Sequence, residues 1–162
     1  MADPAAPTWP RLLTRLLAGT DLPSADTVAV PASVLVYSHR PEVRAAVRTA
    51  VGRRPAPDVG PVHYVECSTG DEVVGLVRGG GVDLCILDGE AQPTGGLALS
   101  RQLDEELADR PAVCVLIARQ QDRWLAHWSM AEATLPFPLD PLVAPPVVAD
   151  LLRTGRSVAR LT

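Results

Sequence analysis

The chain has no apolar run near the roughly 20 residues a membrane span requires. Its first ten residues, Met1 to Pro10, lack a basic stretch followed by an apolar one, so no signal peptide is read there. Basic residues are not in excess: 15 Lys and Arg stand against 19 Asp and Glu, a formal charge of −4. That balance argues against a phosphate-backbone-binding surface, hence against nucleic acid as partner. There are only three cysteines, Cys67, Cys85 and Cys114, with no CxxC pair. An odd, widely spaced set fits neither a disulfide framework nor a zinc site. Each lies in an apolar, strand-like run and reads as a reduced, buried thiol. No glycine-rich loop follows a strand to cradle a phosphate, and Gly79-Gly80-Gly81 instead ends a helix. No nucleophile–His–acid set can be assembled. His39, His63 and His127 are scattered, which leaves no metal site. The expectation is a cytoplasmic protein without cofactor and without enzymatic activity.

What is present is a globular mix, 47% apolar and 21% charged, in 162 residues, so one domain is expected with a short appendage. Residues 1–31 differ from the rest. Trp9, Leu12, Leu13, Leu16 and Leu17 cluster at helical spacing between Pro10 and Gly19, which predicts an amphipathic helix followed by a linker. From Ser33 a regular alternation sets in. SVLVY (33–37) is a nearly continuous apolar run, the signature of a strand buried on both faces. PEVRAAVRTAV (41–51) has helical spacing, with Pro41 at its start and Gly52 after its end. Strands follow at 62–67, 83–87, 112–117 and 133–135, and helices at 71–78, 97–108, 122–130 and 141–153. Ser68 or Thr69 caps the helix at 71. Five strand–helix alternations predict an α/β, doubly wound parallel sheet, whose functional crevice lies outside the C-terminal strand ends. That directs attention to Ser38, His39, Asp88, Ile117 and Phe137.

Between about Ser33 and Arg153 the sequence resembles the response-regulator receiver domain. SVLVYSHRPEVR resembles that family's first strand and helix start. VDLCILDGEAQPTGGLAL resembles the third strand and phosphoacceptor loop, and its most specific piece is Leu87-Asp88 with Gly96-Leu97 eight residues on. AVCVLIAR and TLPFPLDP resemble the fourth strand and the fifth strand with its following turn. The DGEAQPTGG string and the Ala, Arg, Val and Pro usage look like an actinobacterial branch. The resemblance implies a five-stranded sheet in the order 2-1-3-4-5 and divides the chain into an N-terminal extension (1–31), a receiver-like domain (32–154) and a tail (155–162). The stretch TWPRLLTRLLAGTDLPSADT separately resembles the N-terminal helix of anthranilate phosphoribosyltransferases; no activity is carried over from it.

A working receiver holds Mg2+ with two acids after the first strand and uses a Thr or Ser after the fourth and a Lys after the fifth. Hard-cation ligation and charge stabilisation of the transferred phosphoryl group need those residue types. Residue by residue the resemblance implies a damaged site. Asp88 matches the phosphoacceptor. The acid pair falls on Ser38 and His39, the hydroxyl position on Ile117, and the Lys position on Phe137, followed by Pro138 as in the family. Glu90 lies where it could return one acidic ligand. A buried carboxylate still needs a partner, and His39, Arg40 and Arg119 are the candidates, one of which is expected to contact Asp88.

Trp124 and Trp128 stand i, i+4 on one helix face and read either as core or as interface anchors, with Leu125 toward the core. Trp9 and Leu13 are further interface candidates. The nine residues after Arg153 leave no room for an output module, so an effect is expected to pass through a protein partner, a signalling protein or a larger assembly. The alternative is a single-domain switch phosphorylated on Asp88, with Glu90 and Ser38 helping to hold metal.

Overall fold

The computed structural model describes residues 30–161, with side chains through Gly155. The expected helix carrying Trp9 and Leu13 lies outside the described residues. Five strands form one parallel sheet: β1 (Ala32–Tyr37), β2 (Val62–Cys67), β3 (Leu84–Asp88), β4 (Ala112–Ile117) and β5 (Ala133–Pro136), in the order β2-β1-β3-β4-β5. Helices α1 (Pro41–Val51), α2 (Gly70–Gly79), α3 (Gly96–Glu106), α4 (Trp124–Trp128) and α5 (Ala144–Leu161) alternate with them. This is the doubly wound α/β topology expected from the alternation.

The apolar runs are continuous because the sheet is buried on both faces, and period-2 geometry deals their residues to two cores. Val34, Val36, Leu84, Ile86, Cys114, Leu116 and Leu135 pack under α1 and α5, meeting Val43, Val47, Val148 and Leu152. Leu35, Tyr37, Cys85, Leu87, Val113, Val115 and Ile117 face α2 and α3, meeting Val73, Leu99 and Leu103. All three cysteines are buried and free, as small apolar side chains. Burial pushes the thiols up, to about 11 at Cys67 and about 12 at Cys85 and Cys114.

Local chemistry sets the helix ends. Thr69 caps α2, its Oγ1 accepting from Glu72 N at 3.2 Å, while Glu72 Oε2 accepts from Ser68 N at 2.9 Å. Gly80, at φ 81°, takes the left-handed turn that stops the same helix.

Several boundaries depart from the sequence reading, and three elements show why. β3 starts at Leu84, because Asp83 is spent on a clasp: its Oδ2 accepts from Ser33 N at 2.7 Å. The helix expected over 122–130 is a 3-10 turn (Gln120–Arg123) running into the short α4. Nothing in this turn and helix is buried, so no apolar stripe extends them. At the far end Met130 turns to φ 64°, its carbonyl accepting from Arg110 Nη2 at 2.7 Å. α5 begins at Ala144 because residues 141–143 form a turn on Asp140, and it continues to Leu161, so residues 155–161 of the expected tail are helical. Pro145 and Pro146 sit in its first turn, where no intrahelical N–H is lost. No helix among the described residues is long and apolar enough to cross a membrane.

Candidate functional site

The C-terminal ends of β1, β3 and β4 bring Ser38, Asp88 and Ile117 to one rim of the sheet, with Phe137 just beyond β5. Register fixes the spacing: Tyr37 pairs with Leu87, and Asp88 with Leu116. Asp88 is 3% exposed and Ser38 is fully buried.

Both Asp88 oxygens are occupied by protein donors. Oδ2 accepts from Ser38 Oγ at 2.7 Å and from Arg40 Nη2 at 3.0 Å. Oδ1 accepts from Glu90 N at 2.9 Å, the short-range turn that aspartate favours. Of the three expected partners, the structure brings Arg40 to Asp88. Arg119 turns away to Asp122, at 3.2 Å. His39 is exposed, and its Nδ1 accepts from Gln92 N at 2.9 Å. Glu90 reaches Asp88 through its backbone and is itself exposed.

The loop after β3 is seated by close backbone approach. Gly89 N donates to Leu116 O at 2.9 Å, and a Cβ at Gly89 would stand 2.5 Å from that oxygen. At Gly96 a Cβ would stand 2.8 Å from Asp88 O. Glycine is the residue that permits both contacts. Sequence reasoning missed Tyr37, which ties the same loop down: its hydroxyl donates to Thr94 O at 2.6 Å. Burial, and then the Asp88 charge, raise its pKa.

The remaining positions of the rim carry no compensating chemistry. Ile117 is buried in the α2/α3 core. Phe137 is half-buried against the α1/α5 core, its N donating to Ile117 O at 2.8 Å. The chain contains no lysine at all, a signal readable by counting, so no Lys ammonium from elsewhere in it can stand in. A divalent cation of the kind the resemblance implies does not fit these residues. Ser38 and His39 supply no carboxylate, and a guanidinium already lies on Asp88 Oδ2. Among the described residues no group of three or more His, Cys, Asp or Glu is placed to hold a metal ion.

Away from this rim, Trp124 and Trp128 are 66% and 48% exposed, so neither is a core residue. Arg101 lies over the Trp128 ring at 5.0 Å from its centroid. Leu125, expected toward the core, is only half-buried.

No family model matches the chain. Proteins from two strains of Mycobacterium tuberculosis, both called response regulatory proteins, are each 48% identical over 120 residues, covering 74% of this chain and 90% of theirs. Solved structures share the fold at low identity. The receiver domain of a Francisella response regulator superposes with TM-score 0.64 at 16% identity, covering 76% of this chain and 98% of its own. A CheY-like receiver from Methanospirillum hungatei gives 0.60 at 11%, covering 78% and 97%. With the strand order, the Asp88 loop and the mycobacterial relatives in agreement, the chain belongs to the response-regulator receiver-domain family.

Proposed function

We propose that this chain is a pseudo-receiver, a response-regulator domain that works by protein–protein contact without being phosphorylated. The observation that carries the reading is the state of Asp88: a buried carboxylate whose two oxygens take three protein donors, in a rim where Ser38 and His39 stand in place of an acid pair, Ile117 in place of a hydroxyl after β4 and Phe137 in place of an ammonium after β5. Phosphoryl transfer depends almost wholly on electrostatic stabilisation of the moving group. A pocket with one carboxylate and one guanidinium supplies little of it.

The chain then acts through its surface, as a partner of a signalling protein or an accessory subunit of a larger assembly. The face built by the 3-10 turn, α4, β5 and the turn that leads into α5 suits that role. It exposes Trp124, Trp128, Leu142 and Val143, and it carries a groove of about 240 Å³ with Arg123, Leu135, Pro138 and Val147 in its walls. Exposed tryptophans and an apolar recess are usual anchors of a protein contact.

The test is to add beryllofluoride with Mg2+ to the isotopically labelled chain and follow amide resonances from Gly89 to Gly95. The expected result is no Mg2+-dependent change. Saturable shifts centred on Asp88 would establish the phosphorylation switch instead.

A further inference from the structure

Arg40 stands in a place that local chemistry disfavours twice. It is the N-cap of α1, at the positive end of the helix dipole, where a cation is unwelcome, and its side chain makes no cap hydrogen bond. Its Nε–H is buried without an acceptor, which is a cost in itself. Its side-chain hydrogen bond and its backbone N–H both lead to Asp88. Nη2 lies 3.0 Å from Asp88 Oδ2. Arg40 N donates to Ser38 Oγ at 3.0 Å, and the same hydroxyl donates to Asp88 Oδ2 at 2.7 Å. One serine thereby fixes both the backbone of the arginine and the carboxylate it serves. Arg44 braces the turn from behind, its Nη1 donating to Ser38 O at 2.6 Å. The side chain of Arg40 is 38% exposed and that of Asp88 4%, so the arginine reaches from the solvent edge to a buried charge.

We propose that Arg40 is the resident counter-ion of Asp88, a guanidinium that takes the edge of the carboxylate where a divalent cation would bind and so closes the site to metal. The proposal rests on the pseudo-receiver reading and adds to it that, beyond the missing acids, the guanidinium itself keeps a cation off Asp88 Oδ2. A cation approaching Asp88 Oδ2 must displace a charge-assisted hydrogen bond and tolerate a like charge beside it. Without the guanidinium, Oδ2 keeps only the Ser38 hydroxyl, and the exposed Glu90 stands on the adjoining loop.

The experiment uses the full chain, labelled with 13C at aspartate, and Mg2+ alone as the probe. The Asp88 carboxyl resonance is assigned by its loss in Asp88→Asn. In the wild type it is expected not to move with Mg2+. In Arg40→Ala it is expected to shift saturably, and in Arg40→Lys, which keeps the charge, to stay still. A folded Arg40→Ala variant as inert as the wild type overturns the role of Arg40 and leaves the pseudo-receiver reading standing. Saturation in the wild type overturns both. Should Arg40→Ala fail to fold, Arg40→Gln keeps the bulk and removes the charge; it is expected to show the same shift, and its inertness is equally fatal.

Discussion

Removing the Asp88 carboxylate should destabilise this protein, and the sign of that effect is informative. Where several acids crowd a metal pocket, neutralising one relieves repulsion and raises stability. Here Asp88 faces a hydroxyl, a guanidinium and a backbone N–H, with no acid among its hydrogen-bonding partners. In Asp88→Ala the fully buried Ser38 hydroxyl loses its acceptor, at a cost of about 1–3 kcal/mol. The Arg40 contribution is small, because water reaches its half-open side chain once the pair is broken. Relief from burying the charge offsets part of the loss. The net expectation is about 2 kcal/mol, or roughly 4–8 °C in melting temperature for a chain of this size. Asp88→Asn keeps an acceptor for Ser38 and should lose about 1 kcal/mol less. Urea unfolding followed by circular dichroism reads both variants, with an unchanged slope showing that the midpoint reports stability. A midpoint that rises in either variant would refute the reasoning, since it would mean that the carboxylate is held against repulsion.

Other perturbations follow from the same geometry. Gly89→Ala and Gly96→Ala place a methyl group 2.5 Å and 2.8 Å from backbone oxygens and should each cost about 1–3 kcal/mol in urea melts. Gly75→Ala, on the exposed side of α2 with nothing within 4 Å of its added methyl, should instead stabilise by about 0.5–1 kcal/mol. The three thiols, raised to between about 11 and about 12 by burial, should resist a thiol reagent at neutral pH until denaturant is added; prompt labelling of the native chain would show that one of them is accessible. Hydrogen bonding to Arg153 lowers Asp58 from 3.8 to about 2. A carboxylate lowered on folding adds stability that is present above its unfolded value and lost as pH falls toward about 2. Asp58→Asn should therefore lower stability at neutral pH slightly, flatten the acid limb of the urea-melt stability curve between those values, and meet the wild type below them; an acid limb as steep as the wild type's would contradict this.

The fold was legible because a sheet buried on both faces leaves continuous apolar strands, and helices on either side leave a separate 3.6-residue pattern. Val34 and Leu35 pack into opposite cores, yet both had to be apolar, so the run announced the strand without revealing the faces. The segment 120–130 was harder. Its helix is five residues long and packs no buried side chain, so the i, i+4 tryptophans gave direction but not depth. Around Asp88 the sequence placed a carboxylate at a strand end with three nearby candidate partners. Choosing Arg40 over His39 and Arg119 required the turn geometry that Ser38 imposes, together with Asp122 and Gln92 taking the other two. Tyr37 looked like one more apolar strand residue, and only the approach of Thr94 gives its hydroxyl a use.

A pseudo-receiver carries no phosphoryl group on Asp88. Incubation of the full chain with acetyl phosphate and Mg2+, followed by intact mass spectrometry, tests that directly. The predicted spectrum is that of the unmodified chain, matching an Asp88→Asn variant treated in parallel. A phosphoryl adduct that forms in the wild type and disappears in Asp88→Asn would contradict it.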